Sequence, residues 1–541
     1  MATRNYGDLS KDELVRLLEA RDRREATRFG LVWEANEIER DKALNKDFVA
    51  LELDRPLCCG AGPWRNLIIE GDNFDALRYL RMTFAGRVKC IYIDPPYNTG
   101  NRDFIYNDRF VDKEDLWRHS KWCEFMYQRL TLAKDLLRQD GIIFISIDDN
   151  EAFHLGLLMN RIFGEGNFLA SIAWEKRYTR SNNAKLFYSV KDTVLAYRNS
   201  PLVAFLREQR TEKSDAIYKN PDNDPRGVWT SASYVNPATK QQRPNLVYPI
   251  LNPHTGKTVT HPTHAWKFER ESHEQHVKDG LLWWGRDGKA KYPRLKVFPK
   301  TENGGLVPLD IWKHEDTGTT DEGGQELKTI FGHAAFTNPK PTRLIERMLR
   351  LCTGPNDLVL DFFAGSGTTA HAVHKLNKED GGNRRVILVS STEATEDEPE
   401  KNLCRDVCAT RVRRVIEGYG DTPGLGGDFA YLRCRRIDPG RLTEIDHAQV
   451  WTALQLIHCD ALAEYKPAAL LTVGDDEQLL VYLPRLGRAV APALRKAVRS
   501  ARAAIVYSWQ PELARQFLRG HEQVQIEAVP EVLARRFGMK V

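Results

Sequence analysis

Short apolar runs alternate with helical repeats in two stretches of the chain. Residues 67–80, LIIEGDNFDALRYL, read as a strand, an acidic turn and a helix, and Val88–Ile93 is the next apolar run. Trp122, Phe125, Met126, Leu130, Ala133, Leu136 and Leu137 recur at helical spacing, Gly141 closes that helix, and IIFISIDDNE at 142–151 returns to a buried strand. Alternation resumes at 337: TNPKPTRLIERMLRLCT gives a helix with a proline-bounded start, NDLVLDFFAGSGTTAHAVHKLN a strand, glycine loop and helix, RRVILVS a strand, and 401–417 a long helix. This rhythm predicts an α/β doubly wound sheet. Between 200 and 330 it breaks into segments rich in Pro, Gly and aromatics, which predicts a β-rich or irregular insert. LLTV, LLVYL and AAIVYS predict a small C-terminal α/β domain, and 10–24 and 32–44 predict helices. The expected units are a helical segment at 1–60, half-domains at 61–200 and 330–435, an insert at 201–329 and a terminal domain at 446–541.

Length and composition refine this. At 541 residues the chain exceeds one core, and its 42% hydrophobic and 28% charged residues are those of a globular protein. No run of about 18 apolar residues suits a bilayer, and the charged N-terminus is unlike a signal sequence, so a cytoplasmic location and no membrane partner are expected. The nine cysteines show no CxxC spacing. Cys404 and Cys408 suit one helix face, but without a second pair or a nearby His the expectation is reduced thiols and no metal. Net charge is +5, yet residues 171–300 hold 23 Lys and Arg against 12 Asp and Glu. Interleaved with Trp174, Tyr178, Trp266, Trp283, Trp284 and Tyr292, this excess suits a polyanion, as it also suits a plain solvated face.

Two local sequences carry chemistry. In IYIDPPYNTG a strand ends in Asp94, Pro95, Pro96 and Tyr97. The prolines stiffen the turn and free its carbonyls from the sheet ladder. The exocyclic amine of a nucleobase is a poor nucleophile, because its lone pair is delocalised. A carboxylate and a proline carbonyl accepting its two hydrogens draw the nitrogen toward tetrahedral geometry, and a tyrosine ring gives the base a stacking face. In DFFAGSGTT an acidic strand end, glycines and a helix start allow close ligand approach. A phosphate loop would place Lys where Thr368 stands, and a dinucleotide loop would have a third glycine. A tight structural turn is the bland alternative.

Together, DPPY and FAGSG resemble the paired motifs of DNA amino-methyltransferases that use S-adenosylmethionine. The catalytic motif precedes the cofactor motif, the permuted order of the β class. LIIEGDNFDAL, DPPYNTGN, WWGRDG, YPRLKVF, NPKPTRLIERML and DFFAGSGTTAHAV look like the modification subunits of type III restriction systems, a resemblance covering about 65–435. It implies a Rossmann-like methyltransferase fold with an inserted target-recognition domain, to which the apolar pattern beyond 446 adds the small C-terminal α/β domain. It also implies S-adenosylmethionine as cofactor and methyl transfer to N6 of adenine flipped out of double-stranded DNA by Asp94, Pro95, Pro96 and Tyr97. Asp361, Phe363, Gly365 and Gly367 match the cofactor loop, Thr368 and Thr369 open its helix, Lys340 and Pro341 match the motif over the methionine end, Asp72 lies next to the cofactor, and Glu393 holds the ribose. Possible partners are a second copy and a separate restriction subunit with helicase and nuclease activity. The alternatives are cytosine N4 methylation, a non-catalytic DNA-recognition subunit, and an RNA or protein amino-methyltransferase, in which Asn would replace Asp94.

Overall fold

Short apolar runs buried on both faces pair into one ten-stranded sheet that collects strands from both ends of the chain. The computed structural model describes residues 11, 15, 48–100, 105, 106, 109, 110, 118–180, 184–299, 305–395, 398–437, 445–475, 477–529, 531 and 533. The central strands are β1 (Phe48–Leu53), β2 (Leu67–Glu70), β3 (Val88–Ile93), β4 (Leu137–Ile147), β5 (Phe168–Glu175), β6 (Lys191–Arg198), β7 (Ile311–Trp312), β8 (Leu358–Asp361), β9 (Arg385–Ser390) and β10 (Ala430–Ile437). Their order is β1-β10-β2-β9-β8-β3-β4-β6-β5-β7. All neighbours from β10 to β4 are parallel. Parallel strands need crossovers, and helices supply them: α1 (Asn73–Phe84), α2 (Arg118–Leu136), α3 (Ala152–Phe163), α4 (Thr342–Cys352) and α5 (Thr368–Asp380). Each buries one apolar stripe, as with Leu344, Ile345, Met348 and Leu349 of α4. This is the α/β doubly wound architecture that the alternation predicts.

Two segments differ from the expectation. Phe48–Leu53, assigned to a helical N-terminal segment, is an edge strand antiparallel to β10. The rest of the helices expected at 10–24 and 32–44 lies outside the described residues, apart from helical Lys11 and Val15. The helix expected to close at Gly141 ends at Leu136, and β4 begins at once. Val88 pairs with Leu137 but Cys90 with Ile142, so Arg138–Gly141 bulge out. Asp140 fixes the bulge, accepting from Lys89 at 2.8 Å and from Arg138 at 2.8 Å.

The insert has its own aromatic cluster, Tyr234, Tyr248, Ile250, Trp266 and Trp284. Three short strands, Thr230–Ser233, Leu282–Trp283 and Arg294–Val297, form one of its small sheets. Its late part returns to the central sheet, where β7 pairs with β5. At the C-terminus, α6 (His447–His458) packs on β1 and α1 and sends Val450, Trp451 and Leu454 into the main core. Beyond it lies a four-stranded sheet, β11 (Leu471–Gly474), β12 (Leu479–Leu483), β13 (Ala504–Ser508) and β14 (Val524–Ala528). The apolar pattern predicts the first three; β14, VQIEA, has no apolar run. Among the described residues no helix is long and apolar enough to cross a membrane.

Candidate functional site

β3 and β8 are parallel neighbours, with Cys90 opposite Val359 and Ile91 opposite Leu360. Their carboxyl ends therefore bring DPPY and DFFAGSG side by side at the edge where ligands of open α/β sheets bind. Asp94 follows β3 directly. Its Oδ2 accepts from the Lys340 ammonium at 2.5 Å, and its Oδ1 lies 3.0 Å from the Tyr97 hydroxyl. That hydroxyl is also 3.3 Å from Asp192 Oδ2, so one phenol hydrogen is shared between two carboxylates. Burial, with Asp94 and Asp192 alongside, pushes the Tyr97 phenol well above its ordinary pKa. The Lys340 ammonium also sits 5.1 Å from the centre of the Tyr97 ring.

The two proline carbonyls are not equivalent. That of Pro96 accepts from the indole N–H of fully buried Trp122 at 2.8 Å. Among the described residues nothing donates to the carbonyl of Pro95. The Pro95 carbonyl is thus free for an amine, and beside it each Asp94 oxygen keeps a lone pair beyond the one taken by Lys340 or Tyr97. The turn is closed from behind: Asn98, with φ 55° and no solvent exposure, donates to Glu151 at 2.5 Å. Glu151, equally buried, also meets His119 at 2.7 Å and His154 at 2.9 Å.

The glycine loop is shaped by its own acid. Asp361 accepts from the backbone N–H of Phe363 at 3.0 Å and from the Thr369 hydroxyl at 2.5 Å, and burial raises its pKa to about 7. Gly365 and Gly367 hold φ of 49° and 78°. A Cβ on Gly365 would lie 3.3 Å from the Phe336 ring, so any side chain there would fill the cradle. No side chain caps α5, whose N-cap is Gly367, and its first N–H groups are left for an anion. Fully buried Arg411 ties the loop by donating to Ser366 at 3.1 Å and Thr368 at 2.6 Å. Burial lowers its pKa to about 10.

The other sequence-assigned residues divide. Lys340 joins both loops: its ammonium is on Asp94, while its carbonyl is 3.4 Å from the Thr368 hydroxyl. Pro341 is the N-cap of α4. Asp72 caps α1 by accepting from Phe74 N–H at 2.8 Å and pairs with Arg129 at 3.1 Å. Its neighbour Asn73 donates to the Phe362 carbonyl at 2.9 Å, which connects this turn to the glycine loop. Glu393 lies three residues past β9, in a left-handed conformation, paired with Lys401 at 3.3 Å. Sequence reasoning missed Asp192, its partner Lys176 at 2.6 Å, Trp122, Arg129, Glu151 and Arg411. Each acts across the fold, and only Trp122, a core position in a helical repeat, left any sequence signal.

Comparisons with known proteins agree in kind. A family model described as DNA methylase matches residues 88–398. The chain is 33% identical to the type III restriction-modification enzyme StyLTI Mod subunit of Salmonella typhimurium, over 70% of this chain and 61% of that one. It is 31% identical to the EcoPI Mod subunit of Escherichia phage P1, over 61% and 58%. The chain thus spans about three fifths of the length of these relatives. Among solved structures, the cytosine-N4-specific PvuII DNA methyltransferase aligns over 66% of this chain and 95% of its own, at 12% identity and a TM-score of 0.33. With more than half of its residues matched by the family model, the chain belongs to the DNA methylase family.

Proposed function

We propose that this protein transfers a methyl group from S-adenosylmethionine to the 6-amino nitrogen of adenine in double-stranded DNA, as the modification component of a restriction-modification system. The observation that carries the reading is the adjacency of the glycine loop to a turn with one free carbonyl, that of Pro95, beside the Asp94 carboxylate, whose oxygens each have a lone pair beyond those taken by Lys340 and Tyr97. The open backbone at Gly365 and the uncapped α5 terminus suit a ligand with a carboxylate. Asp361, Phe363, Gly365, Gly367, Thr368 and Thr369 would line its site, with Asp72, Pro341 and Glu393 around it. When bound, S-adenosylmethionine supplies a methyl group made electrophilic by its sulfonium.

The remaining work falls to the chain. An adenine extruded from the duplex stacks on Tyr97, and its amino hydrogens go to Asp94 and the Pro95 carbonyl. As the nitrogen gains its fourth bond it becomes positive, and the Asp94 carboxylate offsets that charge in a half-buried setting. The Lys340 ammonium, bonded to Asp94 Oδ2, holds the carboxylate in place before substrate arrives. The insert reads the sequence, and the C-terminal unit serves dimerisation or docking of a restriction subunit.

Modification-sensitive sequencing of DNA from a methylase-free host expressing this chain tests the reading. N6-methyladenine at one motif, absent with Asp94→Ala, is the expected result. N4-methylcytosine would replace it with the other amino-methylation, and unmodified DNA from a chain that binds DNA would make it a recognition subunit.

A further inference from the structure

β5 and β6 are antiparallel, and the segment joining them rises from the same sheet edge as DPPY. Its base is fastened to the catalytic turn. Lys176, just past β5, pairs with Asp192 at 2.6 Å, and Asp192 meets the Tyr97 hydroxyl. One step further out the two legs are cross-tied: Arg177 N–H donates to the Val190 carbonyl at 3.3 Å, and its guanidinium to the Tyr188 hydroxyl at 3.1 Å. Tyr178 is buttressed by His314, with rings stacked 4.6 Å apart. Beyond these ties Leu186 and Phe187 stand 93% and 100% exposed.

Single exposed apolar residues are ordinary, but two in succession beyond a cross-tied base are a patch awaiting a partner. Charge identifies the partner. From 176 to 191 the segment carries five Lys and Arg and no Asp or Glu; Lys176 and Lys191 pair with Asp192 and Asp149, while Arg177, Arg180 and Lys185 have no carboxylate partner among the described residues. Such a rim repels basic surfaces and attracts a polyanion. Reach fits as well. Phe187 is three residues from Val190, a span of at most about 10 Å, and the DNA major groove is about 8.5 Å deep.

We infer that Leu186 and Phe187 form a wedge that enters duplex DNA and fills the space vacated by the base drawn to Tyr97. Proteins that unstack DNA use Phe and Leu in this way. The wedge rests on the functional reading above and deepens it. It explains why Asp192 connects this segment to Tyr97: the element that fills the gap and the ring that receives the base are held in fixed register.

The test uses the full chain, wild type and L186S/F187S, titrated with short fluorescent duplexes that are either intact or carry one abasic position. The wild type should prefer the abasic duplex about tenfold, since the gap is already open. The double variant should lose that preference yet hold intact DNA within a few fold, because the basic residues remain. F187W should keep the preference. A wild type without preference, or a double variant that keeps it, overturns the wedge. This readout involves no methyl transfer, so the two readings fail separately. Preference without any DNA methylation would remove the functional reading and leave the wedge, whereas methylation without preference would do the reverse.

Discussion

Asp94 is held by two partners of unlike kind, the Lys340 ammonium and the Tyr97 hydroxyl. Asp94→Ala should abolish methyl transfer while changing S-adenosylmethionine affinity by no more than a few fold, measured by calorimetry, because the carboxylate faces the amine. Tyr97→Phe keeps the ring but removes the hydrogen shared with Asp192. It should retain substantial activity, and Tyr97→Ala should lose most of it, since stacking is worth about 1–3 kcal/mol per base and depends on the ring. Equal loss in methylation rate for the two would overturn the stacking role. Asp361 gives a pH signature. Its folded pKa, about 7, is above the unfolded value, so the folded state binds the extra proton and Asp361 subtracts stability as pH rises from about 4 to 7. Asp361→Asn should flatten the decline in melting temperature over that window. The Asp94–Tyr97 tetrapeptide was legible because its stiffness is written locally in two prolines. Asp192 and the aim of Lys340 were not, because they meet Tyr97 and Asp94 from distant strands and loops.

At the scale of elements, what turned out to be legible was what periodicity encodes. The runs ending at Ile93 and Asp361 announced buried strands, and Gly365 and Gly367 announced a loop that opens a helix. Phe48–Leu53 escaped because it is short, follows helix-patterned sequence and is defined by its pairing with β10. Sequence gave no hint that the helix before β4 stops at Leu136, since the bulge is stabilised by Lys89 from another strand. Helix α2 touches the catalytic turn itself through Trp122. Trp122→Phe would leave the Pro96 carbonyl without its donor, a cost of about 1–3 kcal/mol. It would also give the turn a second free proline carbonyl. Chemical denaturation should show the destabilisation, and methylation kinetics should show a lower kcat with little change in KM for the cofactor.

On the scale of the whole molecule, the C-terminal helix α6 is part of the main core, burying Val450, Trp451 and Leu454 against β1 and α1. Truncation at residue 440 should therefore cost several kcal/mol, at about 1.5–3 kcal/mol for each large apolar side chain uncovered. Thermal melting would show it. Exchange of the insert for that of a relative should transfer that relative's recognition site, read by sequencing. A chimera that is active at its original site would place recognition elsewhere. The insert's own aromatic cluster makes such an exchange physically reasonable, with the β7 pairing retained.

The strand order carries one more consequence. Across the sheet, β1, β2 and β3 come from before the insert, and β10, β9 and β8 from after it, interleaved as β1-β10-β2-β9-β8-β3. The portion before the insert keeps the run β3-β4-β6-β5 but has β1 and β2 cut off from it, and the portion after it has β10 separated from β9-β8 by β2, so neither alone can assemble the whole sheet. If the chain were severed inside the insert, each fragment should lack the native ten-stranded sheet when expressed singly, and the pair should reconstitute it when made together. The substrate turn and the glycine loop would come together only when β3 and β8 pair, so neither fragment alone could hold the complete site.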